Sequence, residues 1–125
     1  MQTIIESTPA DPERVRAVRS GGLSADHAAA LSGTLSLLSE PTRLRILYAL
    51  DQVGELSVGD LSLALEIGPD ATSYALRLLR TAGLVVSRKS GRTVLYRLAP
   101  DFPEPLLNHC WLRLVDLTSS TKGDS

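Results

Sequence analysis

The sequence predicts a mainly helical α+β fold with about five helices and one two-stranded β-hairpin. Apolar residues recur every three to four positions through much of residues 24–82, which is the spacing of an amphipathic helix. Two β-rich segments, separated by a turn that contains glycine, follow at residues 84–98. A further helical pattern begins after them. The length of 125 residues fits one domain with one core.

The composition excludes several classes of protein. Hydrophobic residues make up 43% of the chain and charged residues 22%, which is not the composition of a disordered chain. Aromatic residues are only 4%, too few for the stacking surfaces that bind single-stranded nucleic acid. With one cysteine, no apolar leader and no apolar run near about 20 residues, we expect a cytoplasmic protein without a membrane span or internal disulfide.

We expect one folded domain in the middle of the chain and flexible segments at both termini. Residues 1–22 contain two prolines and two glycines without a sustained apolar stripe, so we predict a flexible N-terminal arm, with a short helix possible around residues 13–18. Residues 23–117 form the predicted domain. Residues 118–125 are polar and predicted to be a disordered tail.

The first two helices of the domain are indicated by their N-terminal residues. Ser24 can cap a helix that places Leu31 and Leu35 on one face. Pro41 suits the first turn of the next helix, because its missing N–H has no partner to lose there, and this helix extends to about Asp51. A brief strand is possible at residues 52–56.

Two further helices follow at short spacing. Ser57 and Asp60 form a possible capping box at the start of one of them. The tripeptide at residues 67–69 contains Gly68 and Pro69, which end that helix and begin the next. The second helix of this pair extends to Ala82 and stops at a glycine.

The hairpin and the last helix complete the prediction. The turn at residues 88–92 contains Gly91, which supplies a position with positive φ. After two prolines, the last helix has too broad an apolar surface to leave exposed in a small monomer, so we expect a homodimer. The residues expected at its interface are Leu31, Leu35, Leu107, Cys110, Trp111 and Leu114.

A short helical pair followed at once by a hairpin is the order of a winged helix-turn-helix fold. Residues 71–100 carry six cations and no acid, although the whole chain has a net charge of −1, so the remaining residues carry −7. Such segregation of positive charge is typical of a surface that binds a polyanion. Together with the low aromatic content, it favours duplex DNA.

Four linked motifs resemble the ArsR/SmtB family of bacterial transcriptional repressors. They are LLSEPTRLRIL at 37–47, ELSVGDL at 55–61, LRLLRTAGLV at 76–85, and Gly-Arg at 91–92 before Tyr-Arg-Leu at 96–98. The resemblance implies a homodimer with its terminal helices at the interface. It also implies binding to a palindromic operator and release by an inducer, often a metal or metalloid ion.

The expected DNA contacts lie on the second helix of the helix-turn-helix pair, which would read the bases, and on the hairpin, which would form the wing. The helix should contact base edges and phosphates, whereas the wing should contact mostly phosphate and contribute affinity more than sequence choice. The chain departs from the family at Asp70, Tyr74 and Ala75, so the operator preference of relatives is not transferable. The candidate residues are Asp70, Thr72, Ser73, Tyr74, Arg77, Arg80, Arg88, Lys89 and Arg92.

The inducer is left open by the sequence. Ser57 stands where metal-sensing relatives usually have cysteine, and Leu114 stands where histidine would be expected. The remaining donors are His109 and Cys110, with His27 as a further ligand from either subunit, for a Zn, Co, Ni or Cd ion or arsenite. Two alternatives remain: Cys110 as an apolar interface residue beside two surface histidines, and Cys110 as a redox sensor.

Two other functional classes are less consistent with the sequence. The chain has no glycine-rich phosphate loop, no paired acid and base in a recognisable motif and no nucleophile elbow, so we do not expect an enzyme. A winged-helix module that dimerises and binds only proteins is the other alternative. Salt-dependent binding to duplex DNA would distinguish the repressor from it.

Overall fold

The computed structural model describes residues 8–123, and the chain divides into two compact units between Leu35 and Ser36. The start of the predicted arm, residues 1–7, and the end of the predicted tail, residues 124 and 125, lie outside the described residues. No helix within residues 8–123 is long and apolar enough to cross a membrane.

The first unit contains helix α1 (Pro12–Gly21) and most of helix α2 (Ala25–Leu38). The Asp11 carboxylate accepts a hydrogen bond from the backbone N–H of Arg14 at 3.0 Å and begins α1, which has no buried residue. The predicted arm therefore contains an exposed helix. The hydroxyl of Ser24 accepts from the backbone N–H of His27 at 3.1 Å, so the expected N-cap of α2 is present.

The second unit begins with the end of α2 and continues into helix α3 (Pro41–Val53). The Glu40 carboxylate accepts from the backbone N–H of Arg43 at 3.1 Å at the start of α3, and Pro41 occupies the first turn as predicted. The Arg43 guanidinium donates from Nη1 to the carbonyl of Leu37 at 2.8 Å. This bond satisfies a carbonyl in the last turn of α2, which has no partner within the helix.

The helix-turn-helix consists of α4 (Val58–Leu65) and α5 (Pro69–Thr81). The Ser57 hydroxyl accepts from the backbone N–H of Asp60 at 3.1 Å, which confirms the expected cap of α4. Helix α4 ends because Glu66 adopts a left-handed conformation with φ of 57°. Gly68 then caps α5, and the turn between the helices is three residues long.

A three-stranded antiparallel sheet forms the wing and its base. The strands are β1 (Leu56–Ser57), β2 (Val85–Ser90) and β3 (Thr93–Leu98), and β3 lies between the other two. The sequence predicted the β2–β3 hairpin and allowed a brief strand near β1. Gly91 has a φ of +65°, as expected for a two-residue hairpin turn that joins Ser90 to Thr93.

The core of the second unit lies where α3, α4 and α5 pack against the sheet. Helix α5 contacts α3, α4 and β2, and α3 also contacts β3. The buried apolar residues are Leu38, Ile46, Leu47, Leu50, Leu61, Ala75, Leu76, Leu79, Val85, Ala99, Phe102 and Leu107. Since this core includes residues of α5 and of both hairpin strands, packing holds the base of the wing against α5.

The C-terminal segment is a π-helical turn (Leu106–Cys110) that continues into α6 (Trp111–Gly123). The predicted last helix therefore begins after both prolines and continues through residues 118–123, which were expected to be a disordered tail. With α1, the described chain has six α-helices and the π-helical turn, compared with about five helices predicted.

Candidate nucleic-acid interface

The exposed face of α5 carries most of the expected helix contacts. Asp70, Ser73, Tyr74, Arg77 and Arg80 are all exposed. The opposite face of the helix is buried in the core. Asp70 lies in the first turn, where the helix dipole stabilises its negative charge. Helix α5 therefore presents two arginines, a tyrosine, a serine and an aspartate to solvent on one side.

Thr72 does not lie on that exposed face, contrary to the sequence prediction. Its side chain is fully buried, and its hydroxyl donates to the carbonyl of Gly68 at 2.9 Å. The physical reason is helical phase, because Thr72 stands four residues before the buried Leu76 and seven before the buried Leu79. Thr72 is therefore a packing residue of α5 and is unavailable for contact with DNA.

Tyr74 and Arg77 interact with each other on the exposed face. The Arg77 guanidinium carbon lies 5.3 Å from the centre of the Tyr74 ring, which is the geometry of a cation–π contact. Tyr74 is half exposed. The contact holds the Arg77 guanidinium beside the Tyr74 ring on the exposed side of α5.

A basic cleft lies between α5 and the wing. Its volume is about 290 Å³, and its walls are Ser73, Arg77, Arg80, Thr81 and Tyr96, with no acidic side chain among them. Two guanidinium groups and three hydroxyls suit a phosphate, which accepts hydrogen bonds on several oxygens. The sequence prediction missed Thr81 and Tyr96, since their contribution depends on how the sheet packs against α5.

The Arg80 side chain also joins α5 to the wing. Its Nη1 donates to the hydroxyl of Ser87 on β2 at 3.2 Å, and Ser87 stands opposite Tyr96 in the strand pairing. The face of the sheet that carries Ser87 and Tyr96 is therefore the face directed toward α5. Since side chains alternate along a strand, Lys89 belongs to this face and Arg88 to the other.

Arg88 is held by an acidic side chain on the face away from α5. Its Nε and Nη2 donate to the two carboxylate oxygens of Glu55 at 2.7 and 2.8 Å, and Arg97 lies 3.9 Å from the same carboxylate. The hydrogen bond from Arg88 is the main cause that lowers the pKa of the Glu55 carboxyl. Burial is the next cause and raises this pKa, while the charges of Arg88 and Arg97 lower it further. No sequence motif pointed to this pair.

The remaining wing candidates are in or beside the turn. Arg92 follows Gly91 in the two-residue loop, and both Arg92 and Lys89 are exposed. Among the described residues, no carboxylate lies within ion-pair distance of either side chain. These two cations are free to meet an anion at the end of the hairpin.

The expected metal ligands lie in different units of the chain. His27 is exposed on α2 in the first unit, whereas His109 and Cys110 are exposed and adjacent in the π-helical turn of the second. Within residues 8–123, no three His, Cys, Asp or Glu side chains come together as a group able to hold a metal ion.

The residues expected at the dimer interface differ in how far they are exposed. Leu31, Leu35, Cys110 and Leu114 are exposed. Leu107 is fully buried in the core of its own unit, so its expected role at a dimer interface is corrected to a core residue. Trp111 is partly buried against the same core. The exposed large apolar residues of α6 are Leu112, Leu114, Val115 and Leu117.

Comparisons with known proteins agree with this architecture. A sequence model of the arsR family of bacterial regulatory proteins matches residues 40–87. The chain is 41% identical over 87 residues to a transcriptional repressor SmtB homolog of Synechocystis sp., and this match covers 70% of the chain and 65% of that relative. The chain thus spans slightly less than two thirds of the curated relative.

Two solved structures extend the comparison. The repressor BigR from Xylella fastidiosa superposes with a TM-score of 0.62 at 30% identity, covering 74% of this chain and 90% of BigR. The homodimeric winged helix-turn-helix DNA-binding domain of Mb0332 from Mycobacterium bovis superposes with a TM-score of 0.58 at 29% identity, covering 80% of this chain and 90% of that domain. The fold is a winged helix-turn-helix, and the chain belongs to the arsR family of bacterial regulatory proteins.

Proposed function

We propose that the chain is a transcriptional repressor that binds duplex DNA in the cytoplasm through α5 and the β2–β3 wing. The observation that carries the proposal is the basic cleft, which places Arg77 and Arg80 beside the sheet face that carries Lys89. The side chains that line this cleft include no acid to repel phosphate, and residues 71–100 as a whole contain none. The repressors among its relatives support the same function, and membership in a family of regulators supports the expectation that it is not an enzyme.

In this proposal α5 enters the major groove and the wing follows the backbone. Arg77, oriented by Tyr74, and Ser73 contact base edges or the adjoining phosphates. The Asp70 carboxylate, whose charge is stabilised in the first turn of the helix, accepts a hydrogen bond from a cytosine amino group. Arg80, Lys89 and Arg92 contact phosphates and supply affinity that depends little on sequence.

We also propose that the repressor acts as a homodimer on a palindromic operator. Helix α6 exposes Leu112, Leu114 and Val115, each more than half accessible. The homodimeric state of the Mb0332 domain supports the same assembly. Leu114→Glu should convert the dimer to monomer in sedimentation experiments, whereas Gln52→Glu, which adds the same charge to an exposed position of α3, should not. A wild-type protein that sediments as a monomer would contradict the proposal.

Salt-dependent binding tests the DNA proposal directly. The probe is a fluorescent duplex of about 30 base pairs, long enough for two half-sites one helical turn apart. Of the five candidate cations, Arg88 is paired with Glu55. The other four, Arg77, Arg80, Lys89 and Arg92, give about eight contacts per dimer, so affinity should fall about 10³- to 10⁵-fold between about 50 and 200 mM salt. A protein-binding module would show no such binding.

The matched variants are Arg77→Ala and Arg45→Ala. Each phosphate contact contributes about 0.9 to the slope of log affinity against log salt, so removing Arg77 from both protomers should reduce the slope by up to about 1.8. Arg45 is an exposed arginine of α3 outside the acid-free segment, and its removal should leave the slope unchanged. Equal effects of both substitutions would contradict the proposed surface.

Release by a metal or metalloid inducer stays a prediction. His109 and Cys110 are exposed neighbours, and a dimer would have to bring further ligands such as His27 to them. Titration of the dimer with Zn(II), Co(II), Ni(II), Cd(II) or arsenite, with and without His109→Ala and Cys110→Ala, tests the site. Release of DNA by peroxide that is abolished in Cys110→Ser would instead favour the redox alternative.

A further inference from the structure

We propose that Arg88 and Glu55 orient the wing for DNA, and that Arg88 is a positioning residue and not a phosphate ligand. The inference rests on the proposed DNA binding and assigns the phosphate contact of β2 to Lys89. It changes the sequence-based interpretation, in which Arg88 and Lys89 were equivalent cations at the end of a hairpin.

The strand register separates the two cations. Ser87 receives the hydrogen bond from Arg80, so its face of β2 is directed toward α5. Arg88 and Lys89 follow Ser87 on successive positions of the strand, and successive side chains leave a strand on opposite faces. Lys89 therefore shares the face of the basic cleft, and Arg88 projects from the reverse of the sheet.

The ion pair determines what Arg88 can bind. Both oxygens of Glu55 are occupied by its guanidinium, which is the bidentate geometry that makes such pairs strong and directional. A phosphate brought to this guanidinium would also approach the Glu55 carboxylate, which lies less than 3 Å away, and the two negative charges would repel. Lys89 has no carboxylate within ion-pair distance among residues 8–123, so a phosphate can bind it without displacing an acid.

The pair also has a structural position that suits orientation of the wing. Glu55 directly precedes β1, and the strand order puts β3 between β1 and β2. The bond from Glu55 to Arg88 therefore spans β3 and joins the two outer strands, with Arg97 of β3 beside the same carboxylate. Because the Glu55 segment leads directly into α4, the hairpin is tied to the helix-turn-helix at a second point besides Arg80.

The test measures the salt slope of binding to the same fluorescent duplex. Lys89→Ala should lower the slope by about 0.9 for each phosphate that is no longer neutralised, or about 1.8 per dimer. Arg88→Ala removes the same charge from the neighbouring position, yet it should weaken binding while the slope stays within about 0.9 of the wild-type value. Glu55→Gln should also weaken binding with little change in the slope. The double variant Glu55→Gln with Arg88→Ala should bind no more weakly than either single variant.

A charge exchange separates orientation from a direct contact. Glu55→Arg combined with Arg88→Glu keeps the net charge and reverses the ion pair, so affinity should recover relative to the single Arg88→Glu variant. Thermal unfolding of each variant shows whether the protein is folded at the temperature of the binding measurement. If Arg88→Glu alone is unfolded, the salt slopes of Arg88→Ala and Lys89→Ala decide whether Arg88 is a positioning residue or a phosphate ligand.

Two results overturn the inference. One is a fall in slope for Arg88→Ala as large as that for Lys89→Ala, which would make Arg88 a phosphate ligand. The other is tighter binding with a higher slope in Glu55→Gln, which would mean that Glu55 competes with DNA for Arg88. If wild-type protein binds no duplex at any salt concentration, the proposed function itself fails, and the two failures are thereby distinguished.

Discussion

Arg80 of α5 and Ser87 of β2 are joined by a hydrogen bond of 3.2 Å that connects this helix to the wing. The bond places one guanidinium between the two elements that would flank a strand of DNA. Helix and wing also share the buried core, so a duplex would meet both in a fixed relative orientation. Preorganisation of this kind lowers the cost in conformational entropy of binding a ligand.

Ser87→Ala should weaken duplex binding without changing its salt slope. The substitution removes a neutral partner that orients Arg80, and we expect a loss of about 1 kcal/mol, or roughly fivefold in Kd. Arg80→Ala removes a charge and should lower the slope as well. Fluorescence anisotropy at several salt concentrations measures both quantities, and a changed slope in Ser87→Ala would contradict this role.

Tyr74→Ala should reduce affinity through its effect on Arg77. An exposed cation–π contact contributes about 0.5–1 kcal/mol, which corresponds to roughly a two- to fivefold change in Kd. Tyr74→Phe keeps the ring and should bind like wild type. If Tyr74→Phe binds as weakly as Tyr74→Ala, the hydroxyl and not the ring face is the important group.

Leu76→Ala should lower the free energy of unfolding by about 2–5 kcal/mol. Leu76 is completely buried between α5 and the rest of the core, so truncation leaves a cavity. Leu63→Ala, at a position of α4 that is 78% exposed, should change stability by no more than about 0.5 kcal/mol. Urea denaturation at one protein concentration compares the two, because unfolding of a dimer depends on concentration.

The contribution of Glu55 to stability should depend on pH. The pKa of its carboxyl is lowered from the ordinary 4.5 in the folded protein, chiefly by the hydrogen bond from Arg88. The stabilisation is therefore fully present above the unfolded value and is lost as pH falls through the lowered folded value. Urea titrations of wild type and Glu55→Gln should differ at neutral pH and converge in acid. A difference that grows in acid would show the opposite shift.

Local signals in the sequence were sufficient for most of the fold. Ser24 and Ser57 cap the helices that they were expected to cap, and Gly91 has the positive φ that its turn requires. Thr72 was misassigned although its spacing from Leu76 and Leu79 indicated the buried face. Residue type suggested a DNA contact there, but helical phase determined its burial.

Other features depend on tertiary structure and have no local signature. Glu55 and Arg88 are 33 residues apart, and only the order and register of the strands bring them together. Tyr96 enters the basic cleft for the same reason. Leu107 has the same apolar character as its neighbours on the last helix, and the packing of the π-helical turn alone puts it in the core.

The most direct test of the proposed DNA-binding surface is an NMR titration of isotopically labelled protein with duplex DNA, observing backbone amides and arginine Nε groups. The expected shifts concentrate on α5 and the hairpin turn, with the Nε signals of Arg77 and Arg80 strongly perturbed and that of Arg88 little changed. Shifts confined to α6, or unperturbed Arg77 and Arg80 signals in a saturated complex, would contradict the proposed surface.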